Sequence, residues 1–98
     1  MAALFVQQAF GDRVRALRSA RGYSQEAFAA QANLDRGAYG KIERGEINVG
    51  LITIARIAIA LELTLPQLLE DVVVDANEIR ALPRSQRGPR RTASECDN

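Results

Sequence analysis

The 98-residue chain has no histidine and a single cysteine, Cys96, close to its polar end. Without imidazole, and with one terminal thiol, neither the ligand types nor the spacing of a metal centre is present. An intramolecular disulfide is excluded as well. No phosphate-binding glycine loop and no carboxylate constellation for acid–base chemistry occurs, so the sequence does not read as an enzyme and no cofactor is expected. No apolar run approaches the roughly 20 residues that span a bilayer, and the opening MAALFVQQAF lacks the positive stretch of a secretory signal. These absences point to a cytoplasmic protein with no membrane contact. The formal net charge is only +1, so a strongly basic balance is lacking too.

What is present is helical. Hydrophobic residues make up 47% of the chain, enough for one small core, and long Leu/Ile/Ala runs predict an all-α domain. Phe10, Val14 and Leu17 stand at i, i+4 and i+7, which marks an amphipathic first helix ending near Gly22 and extended upstream by residues 1–9. Residues 46–50 read as a loop, with Asn48 or Gly50 as the next N-cap. Leu51–Leu61 is rich in β-branched residues, but its length and the Leu51, Ile54, Ala58, Leu61 spacing favour a helix over a buried strand. Thr64 caps a short fifth helix that tolerates Pro66 in its first turn. Val72–Val74 reads as an added strand or a last turn, and residues 76–82 as a weak helix. From Pro83 onward there is almost nothing to bury, and the tail reads as disordered.

The most informative stretch is SQEAFAAQANLDRGAYGKIERG, residues 24–45. Ser24 is an N-cap, with Phe28, Ala29 and Ala32 at helical spacing behind it. Asn33 stops that helix, and Leu34 can point back into the core. Asp35 then caps a second helix in which Tyr39 and Ile42 face inward, while Arg36, Gly37, Gly40 and Lys41 face outward. Gly45 ends it where a left-handed residue is favoured. Two helices joined by so short a turn cross steeply and leave the second exposed, the geometry of a DNA-reading helix-turn-helix. The charge is polarised accordingly. Arg13, Arg15, Arg18, Arg21, Arg36, Lys41 and Arg44 lie in the first half, whereas Glu62, Glu70 and Asp71 follow the motif.

This pattern resembles the helix-turn-helix family of phage Cro and lambda-type repressors and the small controller proteins of restriction-modification systems. The resemblance extends over about residues 10–70. It includes Val14-x-x-Leu17-Arg18, Gly22-Tyr23-Ser24-Gln25, Leu51–Leu61 and Leu65-Pro66-x-Leu68-Leu69. It implies a compact five-helix, lambda-repressor-like DNA-binding domain over residues 10–71. Residues 72–82 then form an extension for dimer or partner contact, and residues 83–98 a basic and polar tail.

Arg36, in the first turn of the exposed helix, is placed to donate two hydrogen bonds to a guanine's O6 and N7. The resemblance puts Lys41 at a second base or phosphate contact. Gly37 and Gly40 depart from the family, which carries larger polar or β-branched residues there. They permit close backbone approach to DNA, or else they mark a recognition helix of lower specificity. Gln25 resembles a family glutamine that contacts phosphate and braces the recognition helix, and Arg44 and Asn48 flank the same phosphate path. In the family an arginine at the end of helix one pairs with a glutamate beneath the motif, which here implies an Arg18–Glu43 ion pair. Tyr39 is expected in the core with its hydroxyl at the edge, and Tyr23 between the first two helices.

Ile52 and Ile59 lie on one face, away from the stripe of Leu51 and Ile54, where related domains tend to carry charge. A helix apolar on both sides is covered on both sides. Leu4–Val6, Val72–Val74 or a second subunit are the candidate covers, and Ile52, Ile59, Leu65, Leu69 and Val72 form the expected dimer seam. One domain touches few base pairs, so a homodimer on a near-palindromic stretch of double-stranded DNA is the expected working form. Arg84, Arg87, Arg90 and Arg91 of the tail could follow phosphates or a minor groove. The alternatives are an antitoxin-type autoregulator whose extension binds a toxin, and an adaptor that uses the same fold for protein contacts.

Overall fold

A computed structural model describes residues 4–84. Six helices follow one another: α1 (Phe5–Ala20), α2 (Gln25–Gln31), α3 (Arg36–Glu43), α4 (Leu51–Ala60), α5 (Leu65–Leu69) and α6 (Ala76–Arg80). The domain is thus all-α with one short helix beyond the expected five. Among the described residues there is no strand, and Val72–Val74 runs as an irregular connection. Arg87, Arg90, Arg91 and Cys96, and most of the tail with them, lie outside the described residues.

Local chemistry sets most helix ends. Ser24 Oγ accepts from the Ala27 N–H at 3.0 Å and Asp35 Oδ2 from the Ala38 N–H at 3.0 Å, which satisfies donors that the first turns would otherwise leave orphaned. Thr64 and Gln67 form a reciprocal capping box of 3.2 and 2.8 Å at α5. Asn33 sits at φ 59°, a left-handed conformation that asparagine tolerates better than most side chains, and it turns the chain between α2 and α3. Arg56 of α4 donates to the Asn33 carbonyl at 3.2 Å, clamping that turn from the other side.

The core gathers Phe10 and Val14 from α1, Phe28 and Ala29 from α2, Tyr39 and Ile42 from α3, Ile57 and Ala58 from α4, then Leu61 and Leu68. Phe28 lies between two rings, edge-on to Tyr23 at 5.5 Å and tilted against Tyr39 at 5.2 Å. Leu51 departs from the expected stripe: it is 69% exposed, and Ile57 is fully buried instead. Leu51 opens α4, and helical side chains lean toward the N-terminus, which carries this one past the edge of the core.

Two close approaches fix how the helices meet. A Cβ at Gly11 would lie 2.5 Å from the Glu43 carbonyl oxygen and 2.6 Å from that of Ile42, so α1 rests its bare backbone on the end of α3. Gly45, at φ 72°, ends α3, and a Cβ there would lie 2.9 Å from the Gln8 backbone. Arg13 reaches across to α5, donating to the carbonyls of Leu68 at 3.1 Å and Gln67 at 2.8 Å. At the other end of α1 the Phe5 N–H donates to Glu78 on α6 at 2.7 Å, so the extension folds back on the start of the chain.

Candidate nucleic-acid interface

α3 is a short helix with two unlike faces. Tyr39, Ile42 and Glu43 are buried beneath it, while Arg36, Gly37 and Lys41 are exposed. Its N-terminus is fixed by the Asp35 cap and its base by the aromatic stack, so the exposed face is presented by a rigid support. Gly37 is open to solvent, and a Cβ there would come 3.2 Å from the capping Asp35 carboxylate. Gly40 departs from the outward position expected of it. It is buried because the guanidiniums of Arg36 and Arg44 fold over it, each placing Nη1 3.2 Å from where a Cβ would stand.

Beneath α3 lies a polar knot around Glu43, whose side chain is wholly buried. Arg18 donates through Nε at 2.5 Å and Nη2 at 3.2 Å, and its third nitrogen donates to the Tyr23 carbonyl at 2.7 Å. Gln25 Nε2 donates to Glu43 Oε1 at 2.8 Å, and the Tyr39 hydroxyl donates to Oε2. Arg15 stands 3.7 Å away as a second cation. Burial pushes the Glu43 carboxyl up, but the hydrogen bonds from Arg18, Tyr39 and Gln25 outweigh it and hold the carboxyl below its usual range. The hydrogen bond to Glu43 raises Arg18 in turn, and burial followed by that same carboxylate raises the Tyr39 phenol.

The expected Arg18–Glu43 pair is therefore formed, with more partners than expected. The Tyr39 hydroxyl is not at the edge but inside the knot, because it donates to Glu43 one turn further along α3. Gln25 braces α3 as expected, and one of its amide hydrogens is committed to Glu43. Arg44 is exposed and paired with Glu46 through Nε at 2.8 Å and Nη2 at 3.4 Å, and Asn48 is exposed on the loop that follows.

The face of α4 behaves differently. Ile52 and Ile59 are 68% and 75% exposed, and Leu65 and Leu69 on α5 are also at the surface. Neither Leu4–Val6 nor Val72–Val74 covers the two isoleucines. Val6 and Val72 instead line an apolar cleft of about 210 Å³ together with Phe10, Val49, Ile54 and Leu69. Val72 thus turns toward the core, away from its expected place in the seam, because the cleft offers it Phe10 and Ile54 to pack against.

Gly11 and Glu46 went unnoticed in the sequence, and Arg15 was counted there only among the basic residues of the first half, not as a neighbour of Glu43. For Gly11 a signal existed: a glycine inside an amphipathic helix, beside the inward Phe10, marks a close backbone approach. Among the described residues no cluster of His, Cys, Asp and Glu side chains could hold a metal ion, and no helix is long and apolar enough to cross a membrane.

A profile of the HTH_3 helix-turn-helix family matches residues 14–68, from the middle of α1 into α5. Control protein C.MunI of Mycoplasma sp is 42% identical over 64 residues, which cover 64% of this chain and 86% of the relative. Control protein C.SmaI of Serratia marcescens is 36% identical over 64 residues, covering 65% and 76%. Among solved structures, the restriction-modification controller protein C.AhdI from Aeromonas hydrophila superposes with a TM-score of 0.62. It is 44% identical, with 63% of this chain and 94% of that one covered. The Asp35-capped α3, the Glu43 knot beneath it and this match over more than half the chain agree: the protein belongs to the helix-turn-helix family of DNA-binding transcription regulators.

Proposed function

We propose that the protein works as a homodimer on a near-palindromic operator, with α3 of each subunit in the major groove. The observation that carries the groove assignment is the exposed, cap-fixed face of α3, where Arg36 and Lys41 project on either side of glycine backbone. Arg36 reads a guanine edge. Gly37 lets the helix backbone come close to the bases, and Gly40 keeps the Arg36 guanidinium low on the helix. Lys41 contacts base or phosphate. The second amide hydrogen of Gln25, the α2 N-terminus, Arg44 and Asn48 follow the phosphates.

The dimer assignment is supported by Ile52 and Ile59, which a monomer leaves in water. A patch of this kind on an otherwise well-packed domain marks an association surface, and Leu65 and Leu69 extend it across α5. A two-fold arrangement through this seam places two recognition helices about 34 Å apart, one turn of B-DNA. The relatives named above are control proteins and a restriction-modification controller, and by that likeness the genes governed here are those of a restriction-modification system.

The direct test combines sedimentation with binding to the DNA upstream of the protein's own coding sequence across a salt series. A dimer that protects a two-fold site, with affinity falling steeply as salt rises, supports the assignment. A monomer that binds that DNA no better than random duplex contradicts it.

A further inference from the structure

α3 ends in a Schellman turn. The Gly45 N–H donates to the Ile42 carbonyl at 3.0 Å, and the Glu46 N–H donates to the Lys41 carbonyl at 2.9 Å. Backbone geometry therefore fixes Glu46 directly beyond the C-terminus of the recognition helix. A carboxylate there is misplaced for helix stability, because the helix dipole is negative at that end and favours a cation. The position usually holds an apolar residue in contact with the last turn. Glu46 instead forms a two-point pair with Arg44, 2.8 and 3.4 Å.

Arg44 is one of two guanidiniums crowded over Gly40, and the Arg36 Nη1 shares that patch. Glu46 thus sets a negative charge against one of two cations that share a turn of helix. Arg44 and Glu46 are about half exposed, 52% and 48% by side chain, so a phosphate oxygen can take the place of the carboxylate without disturbing the core. We propose that Glu46 is a built-in competitor for the DNA backbone: its carboxylate occupies Arg44 in the free protein and must be displaced by a phosphate on binding, which holds down affinity for DNA of any sequence. This rests on the reading that DNA binds the α3 face.

The hydrogen bonds within the pair raise Arg44 and lower Glu46, so the carboxylate is charged throughout the neutral range and the competition is always on. A displaced Glu46 also regains a counter-ion, which offsets one of the ions that DNA releases.

The test measures binding of the full chain to random-sequence duplex DNA over a salt series for the unaltered protein, Glu46→Gln, Arg44→Ala and the double variant. Glu46→Gln is expected to bind about two- to fivefold more tightly, in line with the strength of exposed ion pairs. Its salt dependence should steepen by up to about one ion, and its thermal midpoint should not fall, since the carboxylate is unfavourably placed against the helix dipole. In the Arg44→Ala background the same substitution is expected to have little effect. Unchanged or weaker binding by Glu46→Gln overturns the proposal, since the carboxylate would then be idle or would be positioning Arg44 for DNA. An equal gain in the Arg44→Ala background also overturns it, because the effect would be general repulsion and not competition for one guanidinium. If the unaltered protein binds no duplex at any salt, the DNA-binding reading itself fails and this inference falls with it.

Discussion

Arg18 on α1 and Glu43 on α3, 25 residues apart, are joined by two hydrogen bonds of 2.5 and 3.2 Å in a site where the carboxylate has no solvent contact. The pair ties the floor of α3 to the first helix of the domain. Replacing Arg18 by alanine removes the main counter-charge of a buried carboxylate, a loss of up to about 3–5 kcal/mol that Arg15, Gln25 and Tyr39 offset in part. Chemical denaturation of Arg18→Ala is expected to show that loss, and an unchanged midpoint would mean that the pair does not support the fold.

The same knot sets an acid response. Its hydrogen bonds hold the folded-state pKa of Glu43 below the ordinary value of 4.5. A group depressed in this way stabilises the fold above its unfolded pKa and loses that contribution as pH falls through the folded one. Stability is therefore expected to decline on acidification below about pH 4.5, with a flatter decline in Glu43→Gln. Parallel profiles for the two proteins would show that Glu43 titrates alike in both states.

Much of this was legible in the sequence, and what was not has a physical cause. Ser24, Asn33, Asp35 and Gly45 act through hydrogen bonds and backbone preferences within four residues, so their roles can be read locally. The Arg18–Glu43 pair was reachable only through the family resemblance, because nothing in the spacing says that these two side chains meet. α4, LITIARIAIA, is apolar on nearly every face. Its periodicity could not separate the buried Ile57 from the exposed Leu51, and only packing against α5 and into the shared core decides it. The position of Gly40 under two arginines is likewise a matter of how long side chains fold back, which no helical wheel records.

Gly40→Ala separates stability from DNA binding. Alanine favours a helix interior over glycine by about 0.8–1.0 kcal/mol. The atoms that a Cβ would meet are the mobile tips of Arg36 and Arg44. The variant is expected to melt at a higher temperature and to bind the operator less tightly, because both guanidiniums are pushed outward. Gains in both properties would mean that the cover over Gly40 has no part in DNA contact.

Arg36→Ala is expected to cost about 1–3 kcal/mol at the cognate site and to relax the preference at one base position. Binding titrations on single-base variants of the operator read both effects. Equal losses on cognate and random DNA would make Arg36 a phosphate contact.

Ile52→Glu together with Ile59→Glu is expected to leave the monomer fold intact, since both side chains already face water. The charges should abolish the dimer and weaken operator binding, whereas binding to random duplex should persist. Sedimentation that still shows a dimer would move the seam away from α4.

The most direct measurement is selection of bound sequences from a random DNA pool by the full-length protein. Homodimeric reading through α3 requires a near-palindrome whose half-sites lie about one helical turn, roughly 34 Å, apart, bound far more tightly than random DNA. Recovery of such a site, with the preference at one position of each half-site relaxed in Arg36→Ala, is the expected result. A pool that shows no enriched sequence, or a single half-site without a two-fold partner, would contradict it.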